Sequence, residues 1–208
     1  MGNRGCLHDE RQHIQRLYQV KRWIWCKLEF KERRRPIMRP GHYTELFFLD
    51  EAVALAAGHR PCVECSQAKF EVFRRLWAEA NPALAQSSKP LAPVIDAVLH
   101  QQRLESDGSN RKKVHLAQLS DLPPGSFITL PDNLTQPYLM QEYTLLPWTM
   151  EGYGLALARP TKQQVIVLTP ASILRTLQLG YCPMLHPSAT AGQVLLSRIG
   201  HGPEDCAS

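Results

Sequence analysis

The run Thr44-Glu45-Leu46-Phe47-Phe48-Leu49-Asp50-Glu51-Ala52-Val53-Ala54-Leu55-Ala56-Ala57-Gly58-His59-Arg60-Pro61-Cys62-Val63-Glu64-Cys65 decides how the amino-terminal half folds. Leu46 to Leu49 is a short apolar run of the kind that fills a buried strand. Asp50 has the side chain of an N-cap, and Glu51 falls in the first turn, where the helix dipole favours negative charge. Ala52 to Ala57 are strong helix formers, and Gly58 stands where a left-handed residue ends a helix. Pro61 forces Arg60 out of helical geometry, so the chain enters Cys62 extended. Ser66 or Cys65 can cap a second helix. Phe70, Phe73, Leu76 and Trp77 recur in it at helical spacing, and Asn81-Pro82 stops it.

The Cys62-x-x-Cys65 pair is the chemistry in this stretch. Two thiolates separated by two residues can reach one tetrahedral zinc ion, and a helix N-terminus beside them lowers thiol pKa. Three readings fit the pair: a zinc knuckle, a thioredoxin-like redox couple, or two free thiols. Redox use calls for a βαβ setting that the surrounding pattern does not show, so zinc is the favoured reading. A zinc on Cys62 and Cys65 needs two further donors. In Trp23-Ile24-Trp25-Cys26-Lys27-Leu28-Glu29-Phe30 the apolar set Ile24, Cys26, Leu28 and Phe30 alternates with the rest, the period of a half-buried strand. Cys26 therefore points inward, as a ligand or a plain core cysteine would. His8 is the leading fourth candidate, with His42 and Cys6 behind it.

The string Glu51-Ala52-x-Ala54-Leu55-Ala56-Ala57-Gly58-His59-Arg60-Pro61-Cys62-x-x-Cys65 resembles the second half of the metal-binding domain of the Ada DNA methylphosphotriester-repair family. There a short helix, a glycine, an aromatic, Arg-Pro and a Cys-x-x-Cys supply two of four zinc thiolates. The resemblance implies that Cys62 and Cys65 are zinc ligands and that His59, at the aromatic's place, packs. It covers residues 45–65. That family also carries an earlier Cys-x3-Cys, one member of which accepts a methyl group. The upstream cysteines here are Cys6 and Cys26, neither with such a partner, so alkyl transfer of the Ada type is not supported. The strings Met1 to Gly5 with Leu7-His8-Asp9, and Tyr43 to Cys65, are also similar to an uncharacterised bacterial family of similar length.

Composition bounds the rest. The chain has 208 residues, 44% hydrophobic and 21% charged, enough for one large domain or two small ones with a proper core. No apolar run is long enough to cross a membrane, and the N-terminus is polar, so no membrane span or signal peptide is expected. Six cysteines without a secretion signal point to thiols or metal ligands in the cytoplasm. Residues 1–42 hold eleven Lys/Arg against four Asp/Glu, a net of +7, while the remainder is slightly acidic. A basic end on a near-neutral body suggests a polyanion partner, nucleic acid first and DNA before RNA. Arg33, Arg34, Arg35 and Arg39 would meet phosphates, with Trp25 stacking on a base.

The expected fold class is α+β. Residues 1–82 form an Ada-like zinc-binding domain, a β-meander (strands near 4–8, 14–20 and 23–30) plus two helices around the knuckle. Residues 94–186 form a helix and a small antiparallel, barrel-like β-rich domain with a C-terminal helix, and 187–208 a mobile tail. The candidate strands are Phe127–Leu130, Tyr138–Met140, Tyr143–Leu146, Tyr153–Leu157 and Val165–Thr169, at hairpin spacing. Asp96 and His100 are four apart on a helix, so their side chains can meet.

No phosphate loop, dinucleotide fingerprint, HExxH or nucleophile elbow is present. Three functions remain open: a zinc-stabilised nucleic-acid-binding protein, the favoured one; a metal-dependent or histidine-based hydrolase on nucleic acid or nucleotide, with His8, His100 and His115 converging near the metal or near Asp96; and a protein–protein module. The number of ligands on the metal separates the first two, since a structural zinc is closed by four protein ligands and a catalytic one keeps an open position.

Overall fold

The computed structural model describes residues 1–32 and 36–191. Its elements in chain order are β1 (Gly2–Asn3), β2 (Ile24–Trp25), α1 (Glu51–Ala56), β3 (Arg60–Pro61), α2 (Gln67–Ala80), α3 (Pro82–Ala85) and α4 (Ala92–Arg103), followed by β4 (His115–Gln118), β5 (Phe127–Leu130), β6 (Asn133–Met140), β7 (Thr144–Pro147), β8 (Leu157–Ala158), β9 (Gln164–Val167), α5 (Ala171–Gln178) and α6 (Ser188–Ala191). The class is α+β. A three-stranded sheet runs β1-β2-β3, and a six-stranded antiparallel sheet runs β4-β9-β5-β6-β7-β8. The larger sheet stays open: β4 and β8 are its edges, and no barrel closes.

The amino-terminal segment is mostly loop, not the expected meander. Its strands are two residues long, and His8 and Ile14 meet only in an isolated bridge. The cause is visible in burial: Ile14, Leu17 and Leu28 are all exposed, so these residues offer no continuous apolar face to a sheet. Leu46 likewise makes a single bridge to Gly2 rather than a strand.

Helix α1 forms as its sequence dictates. Asp50 caps it, accepting from Val53 N at 2.9 Å, and Gly58 follows with φ +78°. The capping carboxylate also accepts from the Tyr153 hydroxyl at 2.7 Å and from His186 N at 3.1 Å. Glu51, buried beside it, accepts from the Tyr181 hydroxyl, Lys69 Nζ and Met184 N. Both tyrosine hydroxyls are pushed upward in pKa, by burial first and then by the neighbouring carboxylate. The start of α1 is therefore tied to residues 181–186 by directed hydrogen bonds.

Three apolar clusters make the core. Phe70, Phe73 and Trp77 of α2 pack with Ile95 and Leu99 of α4 and with Ile173 and Leu177 of α5, so helices from both halves of the chain share one cluster. The centre of the large sheet is buried on both faces, its residues alternating between two clusters, while the edge strands β4 and β8 are largely exposed. Ile128, Tyr138, Met140 and Leu145 face one cluster, and Phe127, Leu139 and Leu146 face the other, with Ala52 and Ala56 of α1. Ala189 of α6 is fully buried in that second cluster. The expected tail thus begins with a packed turn.

Candidate metal centre

Short as they are, β2 and β3 decide where the cysteines go. They pair in parallel, Ile24 opposite Arg60 and Trp25 opposite Pro61. The next residues in that register are Cys26 and Cys62. Cys62 N donates to Trp25 O at 3.0 Å, continuing the ladder. Helix α2 then begins immediately after Cys65, with Ser66 N bonded to Cys62 O at 3.2 Å. The three sulfurs of Cys26, Cys62 and Cys65 lie within 4.8 Å of one another, and no other His, Cys, Asp or Glu among the described residues joins them. Three close cysteines that can hold a metal ion are what the sequence and fold together provide.

Backbone amides are aimed at these sulfurs. Lys27 N, two residues past the end of β2, donates to Cys65 Sγ at 3.3 Å, and the expected alternation through Leu28 does not continue as a strand. Cys62 is pulled well below the ordinary thiol value, by a hydrogen bond from the Cys26 thiol first and then by the N–H groups of Cys65 and Glu64, against the opposing effect of burial. Cys26 is pushed up, because its proton is the one held against Cys62 and because it is partly buried. Without a metal the cluster thus shares its charge unevenly. Amide donors and a helix N-terminus are the surroundings that stabilise thiolate ligands.

The cluster forms part of the wall of a cavity of about 670 Å³, with Arg22, Lys27, Phe30, Tyr43, Glu45, Phe47 and Glu64 among the other lining residues. On one side it reaches a buried ion pair. Arg60 Nε and Nη2 each donate to Asp96 at 2.8 Å, and Nη1 donates to Pro61 O at 2.9 Å. This pair fastens the residue before the knuckle to α4. Burial raises the Asp96 pKa although Arg60 opposes it.

His8 does not join the three cysteines. It is buried elsewhere, with Nδ1 2.6 Å from Thr44 Oγ1 and Nε2 3.3 Å from Arg39 O. The runners-up go with it: the Cys6 thiol donates to His8 O at 3.5 Å, and His42 Nδ1 accepts from Arg39 Nε at 3.1 Å. His59 packs between aromatics, 5.3 Å from the Trp23 ring and 4.7 Å from Phe48. The histidines proposed for hydrolysis do not converge. His100 meets Tyr18 and Arg103, His115 sits on the edge strand β4, and Asp96 turns to Arg60 rather than to His100.

Trp25 cannot offer its face to a base. It is 8% exposed, and Lys69 Nζ lies 5.6 Å from its ring centre. Arg39 is exposed; Arg33, Arg34 and Arg35 lie outside the described residues. No described helix is long and apolar enough to cross a membrane. Sequence reasoning missed the amide of Lys27 and the parallel β2–β3 pairing, because two-residue strands carry no periodicity. Comparison with family models, with curated proteins and with solved structures gives no match.

Proposed function

We propose that this chain is a zinc-binding protein in which Cys26, Cys62 and Cys65 hold one ion at the wall of the large cavity. The mutual approach of the three sulfurs within 4.8 Å carries this reading. Zn–S bonds of about 2.3 Å in tetrahedral geometry place thiolates about 3.8 Å apart, a separation this cluster reaches with small side-chain shifts. Soft thiolates select zinc over the hard cations magnesium and calcium. The resemblance of residues 45–65 to the Ada zinc segment supports the same ion.

Three protein donors give such an ion two roles. It ties β2 to the turn before α2, which stabilises a segment with little apolar packing of its own. With no further His, Cys, Asp or Glu of the described residues in the cluster, a bound ion would take a water or a donor entering the cavity as a further ligand, and metal-dependent ligand binding is the function this cluster supports best. Redox use of the Cys-x-x-Cys pair is the less favoured reading, because Cys26 makes a third sulfur of what a dithiol couple would need as two. A polyanion partner, nucleic acid, is favoured by charge: Arg11, Arg16, Lys21, Arg22, Lys27, Lys31 and Arg39 are all exposed.

The test is metal content with cobalt substitution. Purified protein should carry about one zinc per chain, and Cys26→Ser, Cys62→Ser and Cys65→Ser should each lose most of it. A cobalt-loaded sample should show thiolate-to-metal absorption that changes when imidazole or a small thiol is added. Absence of metal in chelator-free preparations defeats the zinc reading, and a spectrum indifferent to added donors defeats the open position. For the polyanion, binding to a DNA duplex should weaken steeply with added salt.

A further inference from the structure

A second cavity, of about 350 Å³, lies on the other side of the β2–β3 region and has no part in the metal centre. Three cations line it: Arg4, Arg103 and Lys112. None of them is ion-paired with a carboxylate among the described residues. Arg4 and Arg103 each place the guanidinium carbon 3.8 Å from the centre of the Trp23 ring. Arg4 donates through Nε to His59 Nε2 at 3.2 Å, and its two Nη groups have no protein acceptor among the described residues. Arg103, 1% exposed, donates to Gly58 O at 2.9 Å and to Lys21 O, while its Nε is buried without a partner. Lys112 is exposed as a residue, and its ammonium donates to Ala56 O at 2.7 Å.

Three gathered cations held mainly by carbonyls are an unbalanced arrangement. Burial and mutual repulsion pull Lys112 down to about 8, and burial pulls Arg4 down to about 10. Asp96, whose charge favours the charged form of Arg103, is already committed to Arg60 through both oxygens. A buried charge without a counter-ion is costly, so the site gains from any anion that enters. The lining also includes the apolar side chains Phe127, Pro137, Trp148 and Leu168. The Trp148 indole N–H is also buried without an acceptor.

We propose that this cavity binds a small phosphate monoester with a flat apolar body, the phosphate among Arg4, Arg103 and Lys112 and the body against Trp148 and Pro137. A dianionic phosphate matches three cations better than a monocarboxylate, and the two Arg4 Nη groups, without an acceptor among the described residues, suit two of its oxygens. The site is independent of the metal centre.

Calorimetric titration with AMP and with phenyl phosphate, beside adenosine and phenol as neutral controls, tests this on the intact zinc-replete protein. Both phosphates should bind and both neutral compounds should not. Arg4→Gln and Lys112→Gln should each weaken the phosphates by about tenfold or more, while circular dichroism and zinc content stay unchanged. Failure of both phosphates to bind at millimolar concentration overturns the proposal. So does equal binding of phosphate and control, or full affinity in both variants. Benzoate binding more tightly than phenyl phosphate would assign the cavity to carboxylates and overturn the phosphate assignment.

Discussion

Removing the carboxylate of Asp96 should be the most damaging single change outside the cysteines. Arg60 and Asp96 are 2% and 7% exposed at their side chains, and two of the three hydrogen bonds that Arg60 makes go to Asp96. Asp96→Ala leaves a guanidinium buried with only Pro61 O and the Phe70 ring, 5.2 Å away. Two charge-assisted bonds at about 1.5–3 kcal/mol each agree with the roughly 3–5 kcal/mol typical of breaking a buried pair. At about 2.1 cal/mol/K per residue over the chain, that loss corresponds to a drop in Tm of about 7–11 °C. Asp96→Asn keeps one acceptor and should lose about half as much.

The double variant Arg60→Met with Asp96→Leu discriminates further. Burial raises the Asp96 pKa even with Arg60 beside it, so pairing does not fully offset the desolvation of the carboxylate. Replacing both partners by apolar groups should then recover most of the stability lost in Asp96→Ala. Thermal unfolding of the four proteins in parallel is the assay. A Tm for Asp96→Ala within about 2 °C of the parent, far short of a buried-pair loss, or a double variant no better than the single one, would refute the reasoning.

Other outcomes follow from the same geometry. His59 is fully buried and its pKa lies well below the ordinary histidine value, held down by burial and by Arg4 and Arg103. The unfolded chain takes up a proton near pH 6.5 while the folded one does not, so the stability His59 gives is present above that pH and is lost as pH falls, at up to about 1.4 kcal/mol per pH unit. Denaturant titrations between neutral and mildly acidic pH should show this slope reduced in His59→Phe. Gly58→Ala should cost about 1–2 kcal/mol in chemical denaturation, because φ is +78° and the new Cβ would stand 2.8 Å from Arg103 Cδ. Cys26→Ser should lower zinc affinity as severely as Cys62→Ser, measured by competition with a chromophoric chelator, because both residues extend paired strands into the cluster.

What the sequence made legible divides along physical lines. Helix α1, its Asp50 cap, its Gly58 stop and the knuckle could be read because each depends on a local rule obeyed within a few residues. Strand β5 matched its expected residues, and β6, β7 and β9 overlapped theirs, because alternation on a sheet buried on both faces is strong. Cys26 was placed beside the knuckle by its position in the inward set, although only two residues of that stretch pair as a strand. His8, the expected fourth ligand, stays apart from the cluster with its ring held by Thr44 Oγ1 and Arg39 O, contacts that a linear sequence does not display. Trp25, expected to stack on a base, is buried, and an aromatic among cations looks the same in sequence whether it is buried or exposed. The cavity between Arg4, Arg103 and Lys112 joins residues from three distant segments, and no local pattern announces it.

The most direct measurement is X-ray absorption at the zinc edge on protein purified without chelator. Three sulfur scatterers at about 2.3 Å with one lighter nitrogen or oxygen neighbour are expected, at about one zinc per chain. Protein free of metal, or a bound ion with fewer than three sulfur neighbours, would contradict the assignment of Cys26, Cys62 and Cys65 as its ligands.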